Sequence, residues 1–356
     1  MDTQARTAFN WAGRRVLLTG HTGFKGSWLA LWLHRLGAQV TGVALPPPSE
    51  PSLFELARVR ELLSHHEVDI RDLAAVRAAV QAAQPELVIH MAAQSLVRPS
   101  YEDPIGTYAT NVMGTAHVLE AARQQPGVKG VLVITTDKCY ENREWPWGYR
   151  ETDPMGGHDP YSNSKGCAEL VCSAYRASFL AQQGVGLATA RAGNVIGGGD
   201  WARDRLVPDV LAAFSRGEPV LLRHPQAVRP WQHVLEPLRG YLMLAERLLA
   251  GDTEAAQAWN FGPRDDDARP VGEVVAELAQ RWGDDARADI QAGDHPHEAT
   301  WLKLDTSLAR QRLAWRPRLD LGRALQLTVD WHRGWMAGAD ARALTLEQIA
   351  SYEALA

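Results

Sequence analysis

Arg15-Val16-Leu17-Leu18-Thr19-Gly20-His21-Thr22-Gly23-Phe24-Lys25-Gly26 is the stretch on which the reading of this chain turns. It opens with a short apolar run, Arg15 to Thr19 by number, of the kind that becomes a buried parallel strand. Three glycines then recur as G-x-x-G-x-x-G. Residues 27–36 follow, with Trp28, Leu29, Leu31, Trp32, Leu33 and Leu36 at helical spacing and Gly37 suited to end the helix. Strand, glycine turn and helix form the context a dinucleotide fingerprint requires, although the spacing departs from G-x-G-x-x-G. Glycines allow a tight turn and a close approach of pyrophosphate to the backbone. The helix N-terminus adds free N–H groups and a partial positive charge.

Outward from this stretch, strands are expected at 39–45, 68–70, 86–90, 131–134 and 185–190, with helices at 71–83 and 107–122 among them. That alternation predicts an α/β fold, a Rossmann-type doubly wound parallel sheet. Past residue 190 the pattern loosens into short strands, Pro-containing loops and helices at 270–282 and 321–331. This reads as a smaller C-terminal α/β substrate domain, built from non-contiguous pieces. The expected division is a cofactor domain at 11–194, with 229–258 returning to it, and a substrate domain at 195–228 and 259–356. A helix at 237–250 should pack back on the sheet, and residues 1–10 read as a short polar arm. The second strand runs into Leu45-Pro46-Pro47-Pro48, with no acidic residue where a ribose partner is expected. It therefore does not decide between NAD and NADP. Asp69 could meet an adenine amino group or cap the helix at 71–83. In His90-Met91-Ala92-Ala93-Gln94, small residues would let a cofactor lie against the backbone.

Chemistry in open α/β sheets collects at the carboxyl ends of strands. Val131-Leu132-Val133-Ile134 leads there into Thr135-Thr136-Asp137-Lys138-Cys139-Tyr140. Tyr161 and Lys165 stand at i and i+4, on one face of a helix. A phenol ionises near ~10, and a neighbouring ammonium lowers that value. Such a pair can take a proton from an alcohol while a hydride leaves the same carbon.

With 356 residues and a net charge of −5, acidic and basic side chains interspersed, the chain lacks the footprint of a nucleic-acid binder. It has no long apolar stretch for a membrane and no leader-like start. The 3 cysteines, Cys139, Cys167 and Cys172, lack zinc spacing and fit a reducing cytoplasm. Cys139 reads as a small buried filler. His295, His297 and Glu298 are close in sequence but lack a convincing ligand geometry, so no metal is expected, and a loop near the nucleotide is the reading there.

Gly20-x-x-Gly23-x-x-Gly26, His90-x-Ala92-Ala93, Tyr161-x-x-x-Lys165 and Arg191-x-x-Asn194 together resemble the extended short-chain dehydrogenase/reductases that act on nucleotide sugars. The resemblance spans nearly the whole chain. Thr135-Thr136-Asp137-Lys138-Cys139-Tyr140-Glu141-Asn142-Arg143-Glu144-Trp145, the loop from Gly20 to Trp28 and Gly197-Gly198-Gly199-Asp200-Trp201 are most similar to the branch that dehydrates CDP-glucose. The resemblance implies NAD as cofactor, held by Gly20, His21, Gly23, Phe24, Lys25, Gly26, Asp69, Ile70, Ala92, Ala93, Asn111, Tyr161 and Lys165. It implies a CDP-hexose substrate met by Gln94, Asn194 and Arg229, an arginine being suited to a diphosphate by its bidentate donors. It implies oxidation at C4 of the hexose, loss of water across C5–C6 and return of the hydride to C6. Tyr161 would then be the C4 base, Lys165 its electrostatic partner, Thr136 a hydrogen-bond partner of O4, and Asp137 the acid for the departing C6 hydroxyl. Lys138 would be the C5 base or, if it keeps its charge, a stabiliser of the enolate or a holder of Asp137. A homodimer through the helices of Asn111 and Tyr161, and a product feeding deoxysugar and surface-polysaccharide synthesis, belong to the same implication. A C4 epimerase, a dehydratase of another nucleotide hexose and a non-catalytic NAD-binding protein are the alternatives. Lys25, inside the glycine loop, is expected near the cofactor phosphates or adenosine ribose, where it could admit NADP.

Overall fold

The computed structural model describes residues 9–222, 224–283, 286–290 and 301–355. Its strands, in chain order, are β1 (Arg15–Thr19), β2 (Gln39–Ala44), β3 (Ser64–Glu67), β4 (Leu87–His90), β5 (Gly130–Ile134), β6 (Gly186–Ala192), β7 (Asn194–Ile196), β8 (Val220–Leu222), β9 (Val228–His233), β10 (Ala258–Phe261), β11 (Ala268–Pro270) and β12 (Ala288–Ile290). Seven of them form one parallel sheet in the order β3-β2-β1-β4-β5-β6-β10. Side chains alternate across each strand. Val16, Leu18, Leu132 and Ile134 enter one core with Trp28, Leu29 and Leu238. Leu17, Val131 and Val133 enter the other with Val80, Val118 and Leu119. Both faces of the sheet are thereby covered by helices, which is why these strands read as continuous apolar runs.

The strand order reverses between β1 and β4, whose ends meet at Thr19 and His90. A crevice opens at such a reversal, outside the carboxyl ends of the strands. Beyond it lies a third apolar core around Val210, Leu211, Trp231, Val275, Leu278 and Leu325. This core packs under a three-stranded sheet, β11-β9-β7, and a β8-β12 pair. The doubly wound sheet and the smaller α/β piece follow the sequence reading. The helix Leu235–Leu249 packs on the sheet as expected.

Some element boundaries differ from that reading. The third strand is Ser64–Glu67, and residues 68–70 follow it as loop. Ser-His-His-Glu forms the sheet's outer strand and is largely solvent-facing, so it carries none of the apolar signal that drew the expectation to Val68-Asp69-Ile70. The first helix begins at Phe24, directly on the glycine turn. The helix expected at 107–122 starts at Pro104 and runs to Gln124, with a π turn at Ala109–Met113. Residues 1–8 of the polar arm, and His295, His297 and Glu298, lie outside the described residues. No helix among the described residues is long and apolar enough to cross a membrane.

Candidate active site

The three glycines divide the work of the turn. Gly20 has φ +76, and a Cβ there would lie 2.6 Å from the Ala92 nitrogen, so the ends of β1 and β4 touch backbone to backbone. A Cβ on Gly26 would lie 2.1 Å from the Gly20 carbonyl oxygen, so the helix packs directly on the turn. At Gly23 a Cβ would only reach ordinary contact with the Gly20 carbonyl oxygen at 3.5 Å, so nothing clashes there. Gly23 caps the Phe24–Arg35 helix without any side-chain hydrogen bond. An open cradle at an uncapped helix N-terminus fits a pyrophosphate.

Other expected cofactor contacts fall unevenly. The Ala92 backbone lies directly against Gly20, and Ala93 follows it in the same loop. Phe24 reaches the backbone of Gly197, where an added Cβ would come within 3.2 Å of its ring. His21 is a correction to the expectation: its ring is buried against Gly42, with Nε2 2.7 Å from Nδ1 of His65, so only its backbone faces the loop. Burial first and His65 second push its pKa down to about 3. Asp69 does not cap the following helix. Asp72 does, accepting from Ala74 and Ala75 N–H groups, while Asp69 pairs with Arg71 at 2.5 Å. Ile70 is buried against Gly114. Lys25 also departs from expectation. Its ammonium lies 5.9 Å over the Tyr241 ring, in the field of Asp137, Lys165, Asp200 and Arg205 rather than at the adenosine end. Burial, then Arg205 and Lys165, draw its pKa down to about 7.

Asp159 accepts from the Ser162 N–H and caps the helix Pro160–Tyr175, with Pro160 in its first turn. That helix carries Tyr161 and Lys165, both buried, beneath the turn Asp137–Cys139 that follows β5. Lys165 Nζ donates to the Ile134 carbonyl at 3.3 Å. Burial lowers its pKa to about 8, with Glu169 opposing. Burial raises Tyr161 to about 12, with the Thr136 hydroxyl opposing. Desolvation therefore outweighs the ammonium effect anticipated from the spacing alone.

Thr136 donates to Asp137 Oδ1 at 2.9 Å, and Lys138 Nζ stands 3.6 Å from the same oxygen. Asp137 is fully buried, and its Oδ2 has no hydrogen-bond partner. Gly193 keeps the space before that oxygen clear, since a Cβ there would come within 3.0 Å of it. The sequence reading missed Gly193, although it sits beside Asn194 in the quoted motif.

Asn194 opens β7, and its buried Oδ1 is unpartnered. Arg229 lies on the neighbouring β9, where Asn194 pairs in register with Trp231. The two expected diphosphate ligands are thus brought to adjacent strands. Gln94 is differently engaged. Its side chain bonds to Leu96 N and O and to Thr107 Oγ1, shaping its own loop. Asn111, in the π turn, joins that loop to the catalytic helix by donating to the Gln94 carbonyl and to Ser164 Oγ.

The description of the GDP-mannose 4,6 dehydratase family matches residues 17–328. A CDP-glucose 4,6-dehydratase of Salmonella typhimurium is 54% identical over 347 residues, covering 96% of this chain and 97% of its own. A dTDP-glucose 4,6-dehydratase of Streptomyces venezuelae, solved with NAD bound, shares the fold with a TM-score of 0.76 at 24% identity, over 90% of this chain and 98% of its own. A UDP-glucose 4-epimerase of Stenotrophomonas maltophila, also with NAD, does so at 0.78 and 22% identity, over 92% and 100%.

Proposed function

This chain belongs to the GDP-mannose 4,6 dehydratase family, and from that membership we propose that it dehydrates CDP-D-glucose to CDP-4-keto-6-deoxy-D-glucose. It is an NAD-dependent nucleotide-sugar 4,6-dehydratase. The observation that carries the substrate is the 54% identity across 96% of the chain. The buried, unpartnered Oδ2 of Asp137 beside Tyr161 supports the reaction, because oxidation or epimerisation at C4 alone has no use for a second acid.

Gly20, Gly23 and Gly26 with the N-terminus of the Phe24–Arg35 helix would hold the cofactor's pyrophosphate, and Lys165 its nicotinamide ribose. NAD held there would supply a hydride acceptor for C4 and the returning hydride for C6, so none would be consumed over a turnover. Tyr161 takes the O4 proton, with Thr136 beside it. Hydroxide is a poor leaving group, and Asp137 supplies the proton that lets it depart as water. In the resting protein Asp137 and Lys138 stand as an ion pair. Asp137 gives a proton to the departing hydroxyl and the Lys138 amine takes the C5 proton, so one proton moves between the neighbouring pair in each turnover and is passed back before the next. Asn194 and Arg229 meet the diphosphate, and Gln94 acts through the shape of its loop.

Residues 11–194 with 229–258 form the cofactor half of this reading, and 195–228 with 259–356 the substrate half. The Pro104–Gln124 and Pro160–Tyr175 segments support a homodimer by exposing Ile105, Met113 and Leu170. Three free thiols support a reducing, cytoplasmic setting.

Incubation with CDP-, dTDP- and GDP-glucose tests the function. The expected result is a 4-keto-6-deoxy product, seen by its alkaline absorbance, from CDP-glucose above the others. A C4 epimer, or NADH released in step with product, would overturn the dehydratase cycle.

A further inference from the structure

Arg191 belongs to the motif that brings Asn194 to the cleft, yet the reaction as described gives it no part. It is buried on β6 and pairs with Glu169 at 2.8 Å, both side chains 4% exposed. Glu169 stands one turn beyond Lys165 on the same helix. Thr135 donates to one Glu169 oxygen at 2.5 Å, and Thr189 and Arg191 donate to the other at 2.8 Å each. From its other amino group Arg191 donates to the Tyr140 hydroxyl at 2.6 Å and the Glu151 carbonyl at 3.0 Å. Its guanidinium also lies 4.9 Å over the Tyr140 ring. The Tyr140 hydroxyl in turn donates to Asn260 on β10 at 2.7 Å.

One ion pair thus grips both ends of the catalytic turn, Thr135 before it and Tyr140 after it. Thr136, Asp137 and Lys138 lie between. Burial works against the Glu169 charge, and Arg191 overcomes it, so the carboxyl stays below its ordinary value. A buried ion pair adds little net stability over apolar residues of the same shape. It does fix geometry, because each charge tolerates only the arrangement that satisfies it.

We propose that Glu169 and Arg191 are positioning residues for the elimination step, holding the turn that bears Asp137 and Lys138 in register with the helix that bears Tyr161 and Lys165. The proposal rests on the dehydratase reading. Oxidation at C4 draws on Tyr161 and Lys165 of the helix and on the glycine loop, and takes only the Thr136 hydroxyl from the turn. Elimination requires a second element, the turn, to reach C5 and C6 of the same sugar.

Thr135→Val and Tyr140→Phe each release one end of the turn without leaving a buried charge unpaired, and Glu169→Gln and Arg191→Met cut the pair itself. In single turnovers with NAD and CDP-glucose, reduced nicotinamide reports oxidation, and C5 deuterium exchange with keto-deoxy product reports elimination. In Thr135→Val, Tyr140→Phe and Arg191→Met, oxidation should hold within about threefold while elimination slows about tenfold to a hundredfold, the scale of a 1 Å misplacement. Glu169→Gln also removes a charge that supports the Lys165 ammonium, so its oxidation slows too, but less than its elimination. Reduced nicotinamide should then accumulate, with KM for CDP-glucose little changed. Equal slowing of both steps, or of neither, in variants that keep their circular dichroism and NAD binding overturns the proposal. If the charge variants do not fold, the Thr135 and Tyr140 variants decide. A parent that makes no product from any hexose removes the dehydratase reading and this proposal with it. A competent parent with unpartitioned variants removes this proposal alone.

Discussion

Lys165 lies against the Ile134 carbonyl with its pKa drawn by burial from 10.5 to about 8. Its ammonium charge is present below about 8 and lost as pH rises through that value. NAD affinity should therefore fall over that window, by up to about tenfold per pH unit for one ionisation, and calorimetric titrations on either side of it measure this. A flat affinity removes Lys165 as an anchor. The same shift acts on folding with a definite sign. Between about 8 and 10.5 the unfolded chain binds the extra proton, so this group's contribution to stability rises with pH there. Lys138→Ala should abolish both turnover and deuterium washout from C5 while transient NADH persists, a loss of about 10²–10⁴-fold for a general base. Undiminished washout excludes Lys138 as the base. The spacing of Tyr161 and Lys165 pointed to chemistry only once the glycine loop set the context, and the roles of Asp137 and Lys138 came from resemblance. Gly193, Glu169 and the inward direction of Lys25 were not, because their meaning depends on Pro230, Arg191 and Tyr241 arriving from other elements.

The strand–turn–helix at Arg15–Thr19 and Phe24–Arg35 was legible because its signals are local: an apolar run, spaced glycines and a helical stripe. β3 was not, since an outer strand needs no apolar residues and is recognised only by the partner it pairs with, β2. The glycine turn permits a paired test. Gly23→Ala should cost no more than about 1 kcal/mol of stability, since its Cβ finds space. It should still weaken NAD by about tenfold, roughly 1.4 kcal/mol, by filling the cradle. Gly26→Ala should cost about 1–3 kcal/mol or more, because its Cβ meets the Gly20 carbonyl. Thermal melts with and without NAD separate the two outcomes. Equal destabilisation by both would contradict the division of roles.

At the scale of the whole molecule, apolar side chains gather on two neighbouring segments. Ile105 is 77% exposed, Leu170 60% and Met113 52%. If these faces join two copies, Ile105→Glu with Leu170→Glu should shift sedimentation from dimer to monomer while the helical spectrum persists. An unchanged sedimentation coefficient would exclude these faces as an interface between copies. The doubly wound sheet was legible from the alternation of strands and helices. The packing of the third core was not, because β7 and β11 are only 3 residues each and β9 is interrupted by Pro230. The grip on the catalytic turn also bears on how the chain comes to its shape in time. Contacts between distant segments form late, after loop closure has been met. The cradle at Gly20 needs only β1, β2 and β4 and the residues up to Ala92. The turn after β5 needs Glu169, Arg191 and finally Asn260. Pulsed hydrogen exchange during refolding should protect the glycine loop before Thr135–Tyr140 amides. Simultaneous protection would dispose of that order. A chain growing from the ribosome would then shape the pyrophosphate cradle before it had assembled the means to remove water.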